Sequence, residues 1–469
     1  MKKQLLDIGK IGLLLGTLVQ LAACTSKQAD VPTQTAADTL PPLDRSVALK
    51  PPMGWNSWDC FGWTVNEAQV RANAEYLAKN LKKLGYEYVI IDQCWYANAK
   101  DSDFEAFVHE TISTKPNYTI DQYGILQPDT VKFPSARGGK GFKPLADYVH
   151  SLGLKFGLHQ LRGIPWKASA DNRKIKGTDL LCASISQPDS GCVWYDGFYG
   201  VDMKKPGAQT YYNSVFKQYA DWGVDYVKVD DVVNVPELEG ISRAVRSSGR
   251  PMVLSVVPDN LPLDVVKKNA HMARTGNDFW DVWEMLKKGF PVASKVVKDA
   301  EPGYWPDLDM LPVGKIGIGL SYKGPDPRIS NFNKDELHTL LTLWYMSRMP
   351  LMFGGHLPET DPLTLQLVSN EEALSANRNS LHNRQIKFKN AMIIWTADVA
   401  ESPDKYLAFF NQWESKEPVS PRVTWKQLGL PGNQYKVRDL WAKKELGTFS
   451  DGFTYPISAH GAGLYRIHQ

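Results

Sequence analysis

The stretch VDYVKVDDVV (Val224 to Val233) carries the first candidates for chemistry. Its β-branched and aromatic residues have the texture of a strand buried on both faces, yet Lys228, Asp230 and Asp231 sit inside it. An unpaired buried charge is costly, so three in one strand imply a use. Side chains alternate along a strand, which puts Lys228 and Asp230 on one side, roughly 6.6 Å apart at about 3.3 Å per residue. A cation there favours the anionic form of Asp230. Asp231 faces away and reads as a partner supporting the site from behind or, in preference, as the cap of the next helix. Polar residues close other apolar runs in the same way: Asp92, Gln93 and Trp95 in IDQCW, Trp55 and Trp58 in GWNSW, Arg274 and Asp278 in ARTGND, and Asp307 and Asp309 in PDLDM. Any one aspartate could be a cap or turn residue. Capping explains poorly why so many fall at one end of successive strands. Acids and amides grip hydroxyls and indoles stack on C–H faces, so the set suits a sugar-sized pocket.

The runs that must position these side chains form a regular series: PMGWNSW, YEYVIID, LKFGLHQ, DYVKVDD, PMVLSVV, MARTGND, DLDML and PLMFGG. The sixth and seventh are sparse in apolar residues. Helical periodicity fills most of the gaps. EAQVRANAEYLAKNLKKLG places Val70, Ala74, Leu77 and Leu81 on one face and stops at Gly85. AQTYYNSVFKQYADWG and NKDELHTLLTLWYMSRM behave alike, with Gly223 and Pro350 as stops. The alternation predicts a (β/α)8 TIM barrel over residues 48–380, with its site at the C-terminal strand ends. A doubly wound open sheet is the competing architecture. From about Arg384 the runs QIKFKNAMIIWTA, DKYLAFFNQ, PRVTWKQL, YKVRDLWA and GAGLYRI alternate between turn residues. They predict a C-terminal antiparallel β-sandwich over 381–469.

At the N-terminus, Lys2 and Lys3 precede an apolar stretch, Ile11 to Ala23, too short to span a bilayer as a helix. It ends in Leu21-Ala22-Ala23-Cys24, which resembles a bacterial lipobox. Residues 1–24 then form a lipoprotein signal peptide, a lipid-modified Cys24 begins the mature chain, and 25–47 form a disordered polar tether. An ordinary cleaved secretory signal is the alternative. Both imply export from the cytoplasm, and the first places the chain at the cell envelope with membrane contact only through the lipid. The formal net charge is +3 and the 54 lysines and arginines are scattered, which argues against a nucleic-acid surface. Export permits disulfides, and Cys182 and Cys192, bracketing the polar loop ASISQPDSG, are the expected pair. Cys60 and Cys94 are either a second pair or two buried thiols. No CxxC or CxxH pattern points to a metal.

Five segments, PPMGWNSWD, GYEYVIIDQCW, GVDYVKVDD, ARTGNDFWD and WPDLDML, resemble in order the signatures of glycoside hydrolase family 27. This is the α-galactosidase and α-N-acetylgalactosaminidase group, and the resemblance runs from about Pro51 to SNEEALSANR. It implies a barrel followed by an antiparallel β-domain, an oligosaccharide or polysaccharide substrate, and no cofactor. Position by position it implies Asp230 as nucleophile and Asp278 as acid/base. Lys228 and Arg274 would contact sugar hydroxyls, Asp92 the far edge of the ring, and Trp58 would form one wall; Asp309 and Met310 would line the pocket. A retaining mechanism asks for carboxyls about 5–5.5 Å apart. It also asks that Asp278 hold a proton in the resting enzyme, through burial or a nearby anion.

Three positions depart from the family's α-galactosidases: Gln93 stands where a second aspartate is usual, His159 replaces a tyrosine, and SVVPDN (Ser255 to Asn260) lacks the usual acid or Cys-Asn elements. An amide grips a hydroxyl less strongly than a carboxylate does. HQLRGIP (His159 to Pro165) is similar to the isomaltodextranase-like branch. The foremost expectation is an α-galactosidase. The alternatives are an α-glucosidic hydrolase of that branch, a β-L-arabinopyranosidase, an α-N-acetylgalactosaminidase, and, outside enzymes, a sugar-binding lipoprotein. GKIGIG and GGKGF lack dinucleotide and phosphate-loop spacing and read as turns. His356 reads as structural. The long insertion from Asn98 to Arg137 either closes over the site or decorates the rim.

Overall fold

The computed structural model describes residues 40–97, 117–195, 197–319, 327–414 and 417–469. The lipobox Cys24, the leader and most of the tether lie outside the described residues, as do residues 98–116 of the insertion. Among the described residues no helix is long and apolar enough to cross a membrane.

Eight parallel strands form the core: β1 (Met53–Asn56), β2 (Tyr88–Ile91), β3 (Lys155–Leu161), β4 (Tyr226–Val232), β5 (Val253–Pro258), β6 (Met272–Arg274), β7 (Trp305–Asp307) and β8 (Leu351–Phe353). Each of β1 to β7 pairs with the next up to β7, and β8 pairs with β1. The ring closes just past β7. Leu311 bridges Phe353 in parallel, its N–H donating to Met352 O at 2.8 Å while the Gly354 N–H donates to Leu311 O at 2.9 Å. An open sheet would leave two unpaired edges, so that alternative is excluded. The sixth and seventh strands are only three residues long, which places Asp278 and Asp309 beyond their ends.

Inward-facing Tyr88, Ile90, Tyr226, Val253, Met272, Trp305 and Met352 fill the barrel, and Trp58 packs against them. Strand β1 admits this packing because a Cβ on Gly54 would lie 2.2 Å from Tyr88 O. The outer layer includes α1 (Glu67–Asn80), α2 (Lys143–Ser151), α3 (Ala208–Trp222), α4 (Val235–Ser247), α5 (Leu263–Asn269), α6 (Trp283–Val296) and α7 (Lys334–Met346). The periodicity read in α1 holds, with Val70, Ala74 and Leu77 buried and a capping box between Asn66 and Gln69 starting the helix. Two further helices, α8 (Pro362–Val368) and α9 (Glu371–Arg378), lead into the C-terminal part.

That part is a six-stranded antiparallel sheet of β9 (Ser380–Lys389), β10 (Met392–Val399), β11 (Lys405–Asn411), β12 (Gln434–Asp439), β13 (Lys444–Ser450) and β14 (Ala462–His468). The spatial order is β9-β10-β11-β14-β12-β13. A two-stranded ribbon, Arg422–Thr424 with Gly452–Thr454, supplies Val423 and Phe453 to a core shared with Leu407, Phe409, Val437 and Tyr465. The sheet docks on the barrel through Phe410 against Phe290, with ring centroids 5.0 Å apart, and through the bidentate Arg438–Glu372 pair at 2.7 and 2.8 Å.

The expected Cys182–Cys192 disulfide is absent: Cys60, Cys94, Cys182 and Cys192 are all free, buried thiols. The loop between Cys182 and Cys192 is secured instead by backbone pairing of Ser186 and Gln187 with Phe198–Val201, and Cys182 Sγ lies 3.7 Å from Tyr123 O.

One buried imidazole makes the fold acid-sensitive. His271 Nδ1 accepts the Leu254 N–H at 2.9 Å, so its other nitrogen donates to Asp44 O at 3.0 Å. Protonation would set a second N–H against Leu254. Burial, only partly offset by the Asp44 carbonyl, pushes His271 down to about 4. A depressed folded pKa means the unfolded chain binds the proton first, so the stability contribution is present above 6.5 and lost as pH falls towards 4. Urea denaturation of the wild type should lose about 3 kcal/mol on this account by pH 4. His271→Gln should flatten that part of the pH dependence, and an unchanged slope would refute the assignment.

Candidate active site

Strand order brings the singled-out side chains to one end of the barrel. Trp58 lies two residues past β1, Asp92 and Gln93 follow β2, and His159 is on β3. Lys228 and Asp230 are on β4, Arg274 ends β6, and Asp309 and Met310 follow β7.

The β2–β3–β4 side is built around Lys228. Its Nζ lies 3.3 Å from Asp92 Oδ2 and 3.5 Å from Asp230 Oδ2. Asn56 Nδ2 donates to Asp92 Oδ2 at 2.7 Å, and the Asp92 N–H donates to Ser57 Oγ at 2.9 Å. His159, fully buried, places Nε2 3.1 Å from Asp230 Oδ2. Both cationic and imidazole contacts therefore fall on one oxygen of Asp230, while the buried Oδ1 has no hydrogen-bond partner among the described residues. Burial opposes ionisation of Asp230, but Lys228, His159 and Arg274 outweigh it and hold the carboxyl well below the usual range. Asp92 is lowered too, Lys228 and His159 overcoming its burial. Burial likewise works against the Lys228 ammonium, and Asp230 and Asp92 reverse it, keeping the lysine charged.

The β6–β7 side is built around Arg274, whose Nη2 lies 2.8 Å from Asp309 Oδ2 and 3.3 Å from Asp278 Oδ1. Asp309 Oδ2 also accepts the Phe279 N–H at 2.9 Å, and its Oδ1 accepts the Met310 N–H at 2.8 Å. Burial pushes Asp309 up to about 6 despite Arg274 and Lys228. Asp278 departs from expectation. Its side chain is 83% exposed: it stands four residues past β6, and among the described residues its side chain pairs with Arg274 alone. The burial that an acid role calls for is not built into the free protein at this residue.

Three non-glycine residues in left-handed backbone conformations border the pocket carboxylates: Cys94 at φ 69°, Asp231 at φ 61° and Asp309 at φ 100°. Such conformations are costly and concentrate at functional sites. Asp231 is not the helix cap that the sequence suggested. Asn234 caps α4 by accepting the Glu237 N–H at 2.9 Å, and Asp231 Oδ2 pairs with Arg162 at 2.8 Å. At φ 61° residue 231 gives its carboxylate to Arg162, which also pairs with Glu237 in the first turn of α4.

Sequence reasoning missed Asp59, next to Trp58. It is buried, its Oδ2 lacks a donor among the described residues, and burial, reinforced by Asp309 and Asp92, raises it well above the ordinary carboxylate range. A charged residue directly following the tryptophan of GWNSWD was the available signal. Gln93 is buried, and its side-chain amide makes no hydrogen bond among the described residues. The described half of the insertion is packing rather than cover: Lys132 is buried and donates to Trp63 O and Cys94 O, both at 2.7 Å. Among the described residues no group of three His, Cys, Asp or Glu side chains converges as a metal site.

A parallel barrel carrying a lysine-backed carboxylate at β4 and an arginine-linked pair beyond β6 and β7 has the character of a carboxylate-dependent glycosidase. The family model described as Alpha galactosidase A matches residues 50–171 and 191–379, and that of the Alpha galactosidase C-terminal beta sandwich domain matches 389–467. The chain belongs to glycoside hydrolase family 27. Among solved structures it is similar to a β-L-arabinopyranosidase from Geobacillus stearothermophilus, at 43% identity and TM-score 0.85 over 91% of this chain and 98% of that one. It is also similar to a candidate α-N-acetylgalactosaminidase from Bacillus halodurans, at 37% identity and TM-score 0.80 over 91% and 99%. An α-galactosidase from Cyamopsis tetragonoloba is 27% identical over 90% of this chain and 87% of its own.

Proposed function

We propose that the protein is a retaining, exo-acting glycosidase for galacto-configured pyranosides, with β-L-arabinopyranosides as the preferred substrates. The observation that carries the mechanism is Asp230: its carboxyl is held well below the usual range, Lys228 and His159 lie 3.5 and 3.1 Å from Oδ2, and Oδ1 has no hydrogen-bond partner among the described residues. Oδ1 attacks the anomeric carbon as the bond to the leaving oxygen breaks, and Asp278 gives that oxygen its proton. The sugar is then an ester of Asp230. Asp278, now anionic, takes a proton from water, whose oxygen attacks the same carbon and frees the Asp230 carboxylate. Asp278 is exposed in the free protein, so the bound glycoside must cover it for the transfer to run shielded from water. Asp92, Lys228, Arg274 and Asp309 hold the ring hydroxyls, and Trp58 and Met310 flank them.

The choice of sugar is supported by the 43% identity to an arabinopyranosidase and by Gln93. β-L-Arabinopyranose repeats the α-D-galactose ring without C6 and its hydroxyl. A pocket that has exchanged one charged acceptor for an amide suits a sugar with one hydroxyl fewer. α-D-Galactosides are the second reading, favoured by the α-galactosidase relatives.

Nitrophenyl glycosides decide between them. We expect kcat/KM on the β-L-arabinopyranoside to exceed that on the α-D-galactoside by at least about tenfold, within what one small group can contribute. Gln93→Asp should narrow that ratio by roughly tenfold. A wild type that prefers the galactoside would install the second reading. Release from none of the arabino, galacto, gluco or N-acetylgalactosamine glycosides, with sugar binding intact, would leave a binding protein.

A further inference from the structure

We propose that Arg162 is a positioning residue for Asp230, fixing the carboxylate by clamping the peptide that follows it. This rests on the reading of Asp230 as nucleophile. Strand β4 does not run regularly through its end: its register against β5 shifts between Val229 and Val232, and Asp231 adopts φ 61°. A left-handed aspartate inside a strand persists only if its surroundings over-determine it.

Arg162 does so from both sides of the kink. Its backbone N–H donates to Asp230 O at 3.0 Å, and its Nε donates to Asp231 O at 2.6 Å. One residue therefore holds two successive carbonyls. Its Nη2 also reaches Asp231 Oδ2 at 2.8 Å and Ser190 O at 2.9 Å, and Nη1 reaches Glu237 Oε1 at 2.6 Å. The guanidinium is almost wholly buried, and these four side-chain bonds all go to protein groups. Glu237 is itself locked, accepting Tyr212 OH at 2.6 Å and Asn234 Nδ2 at 2.9 Å. The clamp thus ties β4 to α3, α4 and the loop at Ser190. A planar fork with diverging donors does this, and a lysine point charge cannot.

The orientation of Asp230 that leaves Oδ1 bare and Oδ2 3.1 Å from His159 depends on this bend. Among the described residues Arg162 makes no hydrogen bond or ion pair with Lys228, Arg274 or Asp92, so its loss should spare sugar binding. In Arg162→Met and Arg162→Lys, kcat on the best nitrophenyl glycoside should fall at least 100-fold, while KM and the inhibition constant of the free product sugar stay within threefold. Adding Asp231→Gly to Arg162→Met should recover at least tenfold of kcat, because glycine takes positive φ without strain; adding Asp231→Ala should not. An unchanged kcat, or a loss confined to KM, overturns the proposal.

A crystal structure of Arg162→Met tests it without any turnover. Residue 231 leaving the left-handed region, with Asp230 Oδ2 withdrawn from His159, supports the clamp even if the wild type hydrolysed none of the four glycosides. An unmoved Asp230 defeats it whatever the activity. Should Arg162→Met fail to fold, Tyr212→Phe removes a single hydroxyl from the network. A severalfold drop in kcat at constant KM then supports the proposal, and no change refutes it.

Discussion

Asp230→Gly is expected to lower kcat/KM by on the order of 10⁴-fold or more, the scale seen when a covalent nucleophile is removed. Azide should restore part of the rate, because it fits where the carboxylate stood and attacks from the same face. With no ester formed there is a single displacement, so the product is the azide of inverted configuration: the α-L-arabinopyranosyl azide from a β-L-arabinopyranoside, or the β-D-galactosyl azide from an α-D-galactoside. Proton couplings at the anomeric carbon identify it. The prediction leans on Lys228 and His159 both engaging Oδ2, which leaves a competent, ionised Oδ1 in the wild type. Ordinary turnover by the glycine variant would remove Asp230 from the chemistry, and an azide of retained configuration would place the nucleophile elsewhere.

The second large effect depends on the leaving group. Asp278→Ala should cost roughly 10²- to 10⁴-fold in kcat/KM for substrates whose leaving alcohol needs a proton, the usual contribution of a general acid. A 2,4-dinitrophenyl glycoside needs almost no protonation, so its first step should survive and the Asp230 ester should accumulate, visible as a burst of dinitrophenolate. Azide needs no general base, so it should then release the sugar with retained configuration. The structure makes this a sharp test. Asp278 is 83% exposed and touches Arg274, and that side chain also binds Asp309 at 2.8 Å. If Asp278 served only to hold Arg274 in place, the loss would be equal for all leaving groups, and no burst would appear.

Most of the fold was legible because strand and helix impose different periods on burial. The runs at Tyr86, Leu154, Asp225 and Pro251 became β2 to β5, and EAQVRANAEYLAKN became α1 with its predicted buried face. The weak runs at Met272 and Asp307 proved to be three-residue strands, since their polar ends had already left the sheet to line the pocket. The cysteine loop misled. Spacing between Cys182 and Cys192 says nothing about whether two thiols face one another, and backbone pairing with Phe198–Val201 had already fixed the loop. Asp231 misled for a related reason: alternation holds only in a regular strand, and a bulge after Val229 broke it.

By itself the sequence determined the order of eight strands, the sheet domain after them and the acids and cations at the strand ends, because local pattern and residue type are written along the chain; of the three indoles read there, Trp55 and Trp95 are instead buried in the core between strands and helices. Only the tertiary structure decided that Lys228 lies between Asp92 and Asp230, that His159 touches one oxygen of Asp230, that Asp59 joins the site, and that Arg162 braces the bend behind it. Those contacts join residues from different strands and loops, and distance through space is set by how the barrel closes rather than by position along the chain.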